Sequence, residues 1–234
     1  MPRSLVVAPH EIYRERIRGM SSMHQIPPLG HLVEPWLLVD EISHRVANEY
    51  AAAVASISLA ARRCADAGAK IALADAAERL LDHAAAHRAL RPPLARGLSE
   101  LGLYLRGLCG AIVRAKLAER NITLTLIEEP IELDAERCWR VGLIVSELIA
   151  NAARHGLRGR AGGIVVELAT CNGAVECRVA DDGSSVDPKP GRGARIAGAL
   201  ALELGGRIDW EFGPRGTTAR LCFPQDRRAS PAPA

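Results

Sequence analysis

The chain has 234 residues, 48% of them hydrophobic, only 3% aromatic, and a net charge of +3. That length supports one or two domains with a real core, and the shortage of aromatics makes the core aliphatic and alanine-rich, which favours helices. So small a charge, with no run of basic residues, gives no footprint for nucleic acid, and none is expected as a partner.

No apolar stretch approaches the roughly 18 residues needed to cross a bilayer, so no membrane association is expected. The N-terminus, MPRSLVVAPHEIYRER, lacks the apolar segment of a signal peptide. The six cysteines have no CxxC spacing and read as small buried apolar residues in a reducing compartment, so a cytoplasmic chain is expected.

Residues 1–34 read as an N-terminal extension. Glu11 to Met20 has the pattern of a short helix, and Pro27-Pro28 forces an extended break. The segment is too short for a sensor domain of ordinary size; if Met1 is the true start, the chain carries no dedicated N-terminal sensing module.

Residues 35–91 read as a helical hairpin. From Pro35 to Cys64 the apolar residues Trp36, Val39, Ile42, Val46, Tyr50, Ile57 and Ala61 follow heptad-like steps. His44 is two residues from both Ile42 and Val46, roughly 200° around a helix from each, so it faces away from the seam. Glu41 and Asn48 flank it on its own face. Ala65 to Gly68 reads as a turn. A second helix, about Ala69 to Leu90, repeats the heptad steps with Leu73, Ala77, Leu80 and Ala84. Two narrow seams are not fully buried in one hairpin, so pairing into a dimeric four-helix bundle is expected. Arg91-Pro92-Pro93 reads as the domain linker.

Residues 92–224 switch from heptads to mixed helix and strand. Leu98, Leu101, Leu105, Leu108 and Ile112 predict an amphipathic helix over 98–119, and Ile122 to Ile127 alternates as a strand. Asp134 is a candidate N-cap for a helix through RVGLIVSELIANAARHG, whose apolar face is Val141, Ile144, Val145, Leu148, Ile149 and Ala152. Glu147 and Asn151 share another side of it, and Gly156 reads as a left-handed C-cap. Asn172-Gly173 marks a hairpin pairing Cys171 with Ala174 and Leu168 with Cys177, with Ile164, Val166, Leu168, Val175, Cys177 and Val179 facing inward. Cys171 and Cys177 are then not opposite each other, which argues against a disulfide. A helix ending near Leu204, a Gly205-Gly206 stop and a last hairpin of Arg207 to Glu211 with Thr217 to Phe223 follow. Residues 225–234 read as a disordered tail.

Four short patterns stand in order along this frame. Glu41-x-x-His44-Arg45-x-x-Asn48 resembles the H-box of soluble-type two-component histidine kinases with an H-R-x-x-N signature. Glu147 to Gly156 resembles the N-box of their ATP-binding domain (the Bergerat, or GHKL, fold), Asp181-x-Gly183 the G1 box, and Gly191-x-Gly193 the G2 box. The resemblance covers about residues 35–224. It implies an α+β protein in which a dimeric helical hairpin precedes a Bergerat-type α/β sandwich.

The resemblance also implies a chemistry. His44 would accept a phosphoryl group from ATP and pass it to an aspartate of a response-regulator receiver domain. Glu41 would orient the imidazole, and Arg45 would neutralise phosphoryl oxygens. Asn151 would hold Mg²⁺, Glu147 would order a metal-bound water or act as a general base, and Arg154 and His155 would face the phosphates. Asp181 would accept a hydrogen bond from the adenine amino group, with Gly183 letting the base approach the backbone. Gly191 and Gly193 would present amides to phosphate.

The chain departs from the family at three places. Ser185 replaces a second glycine of G1, only Ser184 to Pro190 remain for the ATP lid, and Ala47 replaces a basic residue before Asn48. These keep open a histidine phosphotransferase with a degenerate ATP domain, relaying phosphoryl groups between receivers. A non-catalytic dimeric scaffold and an anti-sigma-type serine kinase are weaker readings, the last opposed by the hairpin that carries His44.

Overall fold

The computed structural model describes residues 35–93, 97–184 and 191–226, with the side chains of 35–37 excepted. The expected helix at Glu11 to Met20, the Pro27-Pro28 break, the lid from Ser185 to Pro190 and the tail from 227 lie outside the described residues.

Helix α1 (Pro35–Arg63) and helix α2 (Ala67–Ala89) form the antiparallel hairpin. Of the expected heptad residues Ala61, Ala77 and Ala84 are buried, joined by Ser43 and Ala86 from outside the heptads, whereas Val39 and Ile42 of the expected α1 seam are exposed. Alanine at the contact lets the two axes come close without side-chain entropy loss. The second helix starts at Ala67, two residues before the expected Ala69 and inside the turn expected at Ala65 to Gly68. Asp66 accepts the amide of Ala69 at 2.7 Å, so it is an N-cap, and Gly68 sits inside the first helical turn.

The helix expected over 98–119 is divided. Leu98–Glu100 is a short strand, β1, paired antiparallel with β3 (Glu132–Asp134). Helix α3 (Leu101–Ile112) begins only after Glu100, whose carboxylate accepts the amides of Gly102 and Leu103. Burial pushes the Glu100 carboxyl up, but the amides of Leu103, Gly102 and Ile131 outweigh it and hold the group below the usual carboxylate range. Beyond Ile112 the helix widens over Val113–Leu117 and tightens over Ala118–Arg120, ending at Asn121 with φ 51°.

Strands β2 (Ile122–Glu128), β4 (Gly162–Cys171), β5 (Ala174–Asp181), β6 (Arg207–Gly213) and β7 (Gly216–Pro224) form one sheet in the order β2-β4-β5-β7-β6. The β2–β4 pair is parallel and the other pairs are antiparallel. Cys171 faces Ala174 and Leu168 faces Cys177, the register set by the Asn172-Gly173 turn, with Asn172 at φ 51° and Gly173 at φ 76°. All six inward residues of this hairpin are buried, and all six cysteines are free thiols.

Helices α3, α4 (Ala135–Asn151) and α5 (Arg192–Glu203) share one core with the buried face of the sheet, centred on Leu105, Val141, Ile144, Val145, Leu148, Ile164, Val166, Cys177 and Leu221. The hairpin is part of the same compact unit. The Tyr104 hydroxyl donates to the Ala89 carbonyl at 3.1 Å and the Trp139 indole to the Leu90 carbonyl at 2.9 Å. Both bonds hold the C-terminal turn of α2, where helix carbonyls lack internal partners.

Candidate functional site

The apolar face of α4 is fixed by the core, and that fixes the rest of the helix. With Val141, Ile144, Val145, Leu148 and Ile149 buried, Glu147 and Asn151 stand on a half-buried flank. They open onto a cavity of ≈ 440 Å³. Val179 and Asp181 of β5, Thr217 and Ala219 of β7, and Trp210 and Phe212 of β6 also line it, and Gly191 to Ala194 bound it where α5 begins. The size is that of a small-molecule site, with mostly apolar walls and a few polar groups converging.

Gly156 does not make the expected left-handed cap. The α-helix ends at Asn151, a wider turn follows over Ala152–Gly156, and the left-handed residues are Arg158 (φ 50°) and Gly159 (φ 82°). Glycine is required at 156 for another reason: the Asp181 carboxyl packs against its Cα, and a Cβ there would overlap it. Gly183 meets the Gly156 carbonyl in the same way, and that obstacle is backbone, which yields only by displacement of the chain. N-box and G1 box thus meet through two glycines that bring Asp181 to the cavity floor.

Asp181 is 9% exposed. Its Oδ1 accepts the amide of Gly183 at 2.9 Å. Burial pushes its carboxyl above the usual aspartate range; the amides of Gly183 and Thr217 oppose the rise, and the neighbouring Asp182 adds to it. A buried carboxylate with acceptor capacity to spare suits a hydrogen-bond donor on a planar base.

The polar end of the cavity is built by α4 and the start of α5. Arg154 Nη2 lies 3.3 Å from both Glu147 Oε1 and Asn151 Oδ1. A positive group therefore already bridges the two oxygens proposed to manage a metal and its water. His155 also lines the cavity. Gly193 lies inside the first turn of α5, not before it, and Gly191 is its N-cap. The Glu147 carboxylate fills the place a Cβ on Gly193 would need. Among the described residues no group of three or more His, Cys, Asp or Glu side chains could hold a metal ion. The amide oxygen of Asn151 beside the Glu147 carboxylate is a donor set that suits Mg²⁺, which keeps waters and arrives with phosphates rather than in a protein cage.

His44 lies on α1 with its side chain 53% exposed. Asn48 is exposed one turn on. The ring-orienting part expected of Glu41 goes elsewhere. Glu41 Oε1 instead accepts Arg45 Nε at 2.8 Å, an exposed i,i+4 pair. The carboxylate near the ring is Asp40, with Oδ2 3.7 Å from His44 Nε2, and Arg91 Nη2 sits 2.5 Å from the same nitrogen. Asp40 stands at minus four from His44, as legible a spacing as that of Glu41. Arg91 has no such local signal, because only the antiparallel hairpin brings the end of α2 beside His44. Trp210, Phe212 and Thr217 were likewise invisible, since β6 and β7 read as an ordinary hairpin.

A helical hairpin carrying an exposed histidine, followed by a mixed-sheet α/β sandwich with an open cavity at the end of β5, defines the class. A histidine kinase model matches residues 41–116 and a histidine kinase-like ATPase domain model residues 114–220. The chain belongs to the two-component histidine kinase family, with an ATPase domain of the GHKL type. It is 27% identical over 199 residues to blue-light-activated histidine kinase 2 of Erythrobacter litoralis, a match covering 79% of this chain and 56% of that protein. The chain thus spans little more than half the length of that relative. The solved histidine kinase domain of a blue-light activated histidine kinase from Erythrobacter litoralis superposes with TM-score 0.54 at 22% identity, covering 76% of this chain and 96% of that one. A longer structure of that kinase gives 0.53 at 22% identity, over 64% and 55%. Both establish the fold. No helix among the described residues is long and apolar enough to cross a membrane.

Proposed function

We propose that this chain is an ATP-dependent protein histidine kinase that phosphorylates His44 and passes the group to an aspartate of a receiver domain. The observation that carries the reading is the cavity in which Glu147, Asn151, Arg154 and Asp181 converge. The same chain carries a hairpin that leaves His44 exposed. ATP with Mg²⁺ supplies the phosphoryl group; moving it to imidazole needs positioning and charge neutralisation more than covalent help.

In this reading Asp181 accepts the adenine amino group, and Trp210 and Phe212, stacked with ring centroids 6.0 Å apart, wall the apolar side of the base. Asn151 holds the metal, Glu147 orders its water, and Arg154 turns from those two oxygens to the phosphates. His155 lines the same end, Gly191 leaves open space for the phosphates beside the first amides of α5, and Gly193 makes room for the Glu147 carboxylate there. Asn48 and Arg45 stay on the exposed face of α1 to meet the incoming phosphoryl group.

The functional units are 35–91 for dimerisation and phosphotransfer and 92–224 for ATP. The dimer is supported by apolar residues that one hairpin leaves open: Leu38, Ile42, Leu59, Ile71 and Leu81 are 54%, 60%, 48%, 63% and 52% exposed. The kinase works in the cytoplasm, where ATP and receivers are. Incubation with labelled ATP and Mg²⁺, followed by addition of a phosphate-accepting receiver, tests the whole reading. Label should appear on this chain first and then on the receiver. Label that arrives only from an already phosphorylated receiver would make the chain a relay without kinase activity.

A further inference from the structure

The end of α2 places an arginine on the histidine. Arg91 Nη2 is 2.5 Å from His44 Nε2 and 2.9 Å from Asp40 Oδ1. Guanidinium has five N–H donors and no acceptor. The contact therefore requires a lone pair on Nε2, so the ring is neutral with its proton on Nδ1. The exposures follow the same order: Asp40 is 15% exposed, Arg91 23% and His44 53%. The carboxylate anchors the guanidinium from inside, and the guanidinium presents a donor to the ring outside. The buried Nε of Arg91 has no hydrogen-bond partner among the described residues.

From this geometry we infer that Arg91 is a positioning residue for phosphoryl transfer: it holds His44 as the Nδ1–H tautomer, with Nε2 as the nucleophile, and then receives the phosphoryl oxygens. The inference rests on the reading of His44 as the acceptor. While Arg91 points at Nε2 the lone pair is occupied, so transfer requires the guanidinium to pivot about Asp40. Nε2 then forms its bond to the γ-phosphorus. The bond from phosphorus to the bridging oxygen breaks with its electrons leaving on ADP, and the Nδ1 proton passes to water. The guanidinium donors move from the nitrogen to the new phosphoryl oxygens, where charge-assisted bonds are strongest.

The backbone at this point also ties the histidine to the ATPase domain. Tyr104 and Trp139 hold the carbonyls of Ala89 and Leu90, the two residues before Arg91. Any shift of α3 or α4 against the hairpin therefore pulls on the residue that covers Nε2.

The test is nitrogen NMR of the full chain with ring-labelled histidines, His44 being assigned by its loss in His44→Ala. Wild type should show His44 at alkaline pH with the proton on Nδ1. Arg91→Ala should move the proton toward Nε2 and slow labelling by ATP about tenfold or more, the size of one charge-assisted hydrogen bond. Arg91→Lys should fall between them, since ammonium keeps the charge but not the fork. Should Arg91→Ala fold poorly, Asp40→Asn leaves Arg91 in place without its anchor and is expected to shift the tautomer in the same direction. A His44 tautomer in the folded variants indistinguishable from wild type, or labelling within twofold of it, overturns the assignment. Failure of the acceptor reading looks different: His44→Ala would label normally, while the tautomer would still report on Arg91.

Discussion

Asp181→Asn separates what a residue does for binding from what it does for stability. The Asp181 carboxylate takes the amide of Gly183 at 2.9 Å and that of Thr217, leaving acceptor sites toward the cavity. Asparagine keeps one oxygen for those amides and turns a donor NH₂ toward the base. An adenine amino group would then face a donor, so the loss exceeds that of a simple deletion. Removing a hydrogen bond to a charged group and leaving donors opposed is worth about 2–3 kcal/mol, or about 30- to 150-fold in Kd.

Stability should move the other way. Burial raises the folded-state value of this carboxyl above that of the unfolded chain. The folded protein therefore binds the proton more tightly. The stability linked to Asp181 is full below the ordinary aspartate range and is lost as pH rises through the raised value. Asparagine cannot ionise and escapes that loss, so at neutral pH the variant should unfold at or above the wild-type midpoint. Calorimetry with ATP analogue and Mg²⁺ reads the first effect, and thermal unfolding at several pH values reads the second. Affinity reduced less than threefold, or a midpoint clearly below wild type at pH 7, would refute the role given to Asp181.

Other substitutions probe separate parts. Asn151→Ala should weaken nucleotide binding about tenfold with Mg²⁺ present and hardly at all in EDTA, measured by calorimetry. Glu100→Ala removes the N-cap of α3 and should lower stability by about 1 kcal/mol at pH 7. Because the Glu100 carboxyl is held below its ordinary range, that stability is present above the unfolded value and is lost as pH falls through the folded one, so the two proteins should converge in acid. In sedimentation at micromolar concentration the chain should run as a dimer, and Ile42→Asp should shift it toward monomer.

The elements whose periodicity is set by one buried face were legible in the sequence. Helix α4 and the β4–β5 hairpin kept their expected faces and register, because a shift of one residue would expose Val166 and Cys177. Strand β1 was not legible: Leu98 continues the helical spacing of α3, and only pairing with β3 and capping by Glu100 override it. Gly156 was recognised as necessary for the wrong reason, since a close approach by Asp181 leaves no local trace. The cavity followed from the order of the boxes, whereas its wall of Trp210 and Phe212 depended on where the sheet edge lies. The surroundings of His44 divided the same way. His44 is exposed as expected, but so is Ile42 of the expected seam while Ser43 is buried, so the heptad did not locate the hairpin interface; Asp40 was within reach of helical spacing, and Arg91 required the tertiary hairpin.

The central claim is that His44 takes its phosphoryl group from ATP held by α4 and β5. The most direct measurement incubates the full chain with γ-labelled ATP and Mg²⁺ and asks for acid-labile, base-stable phosphate, alongside His44→Ala and Asn151→Ala. Label on wild type and none on either folded variant is the predicted result. Folded wild-type protein that takes no label, or His44→Ala protein that labels as well as wild type, would contradict it.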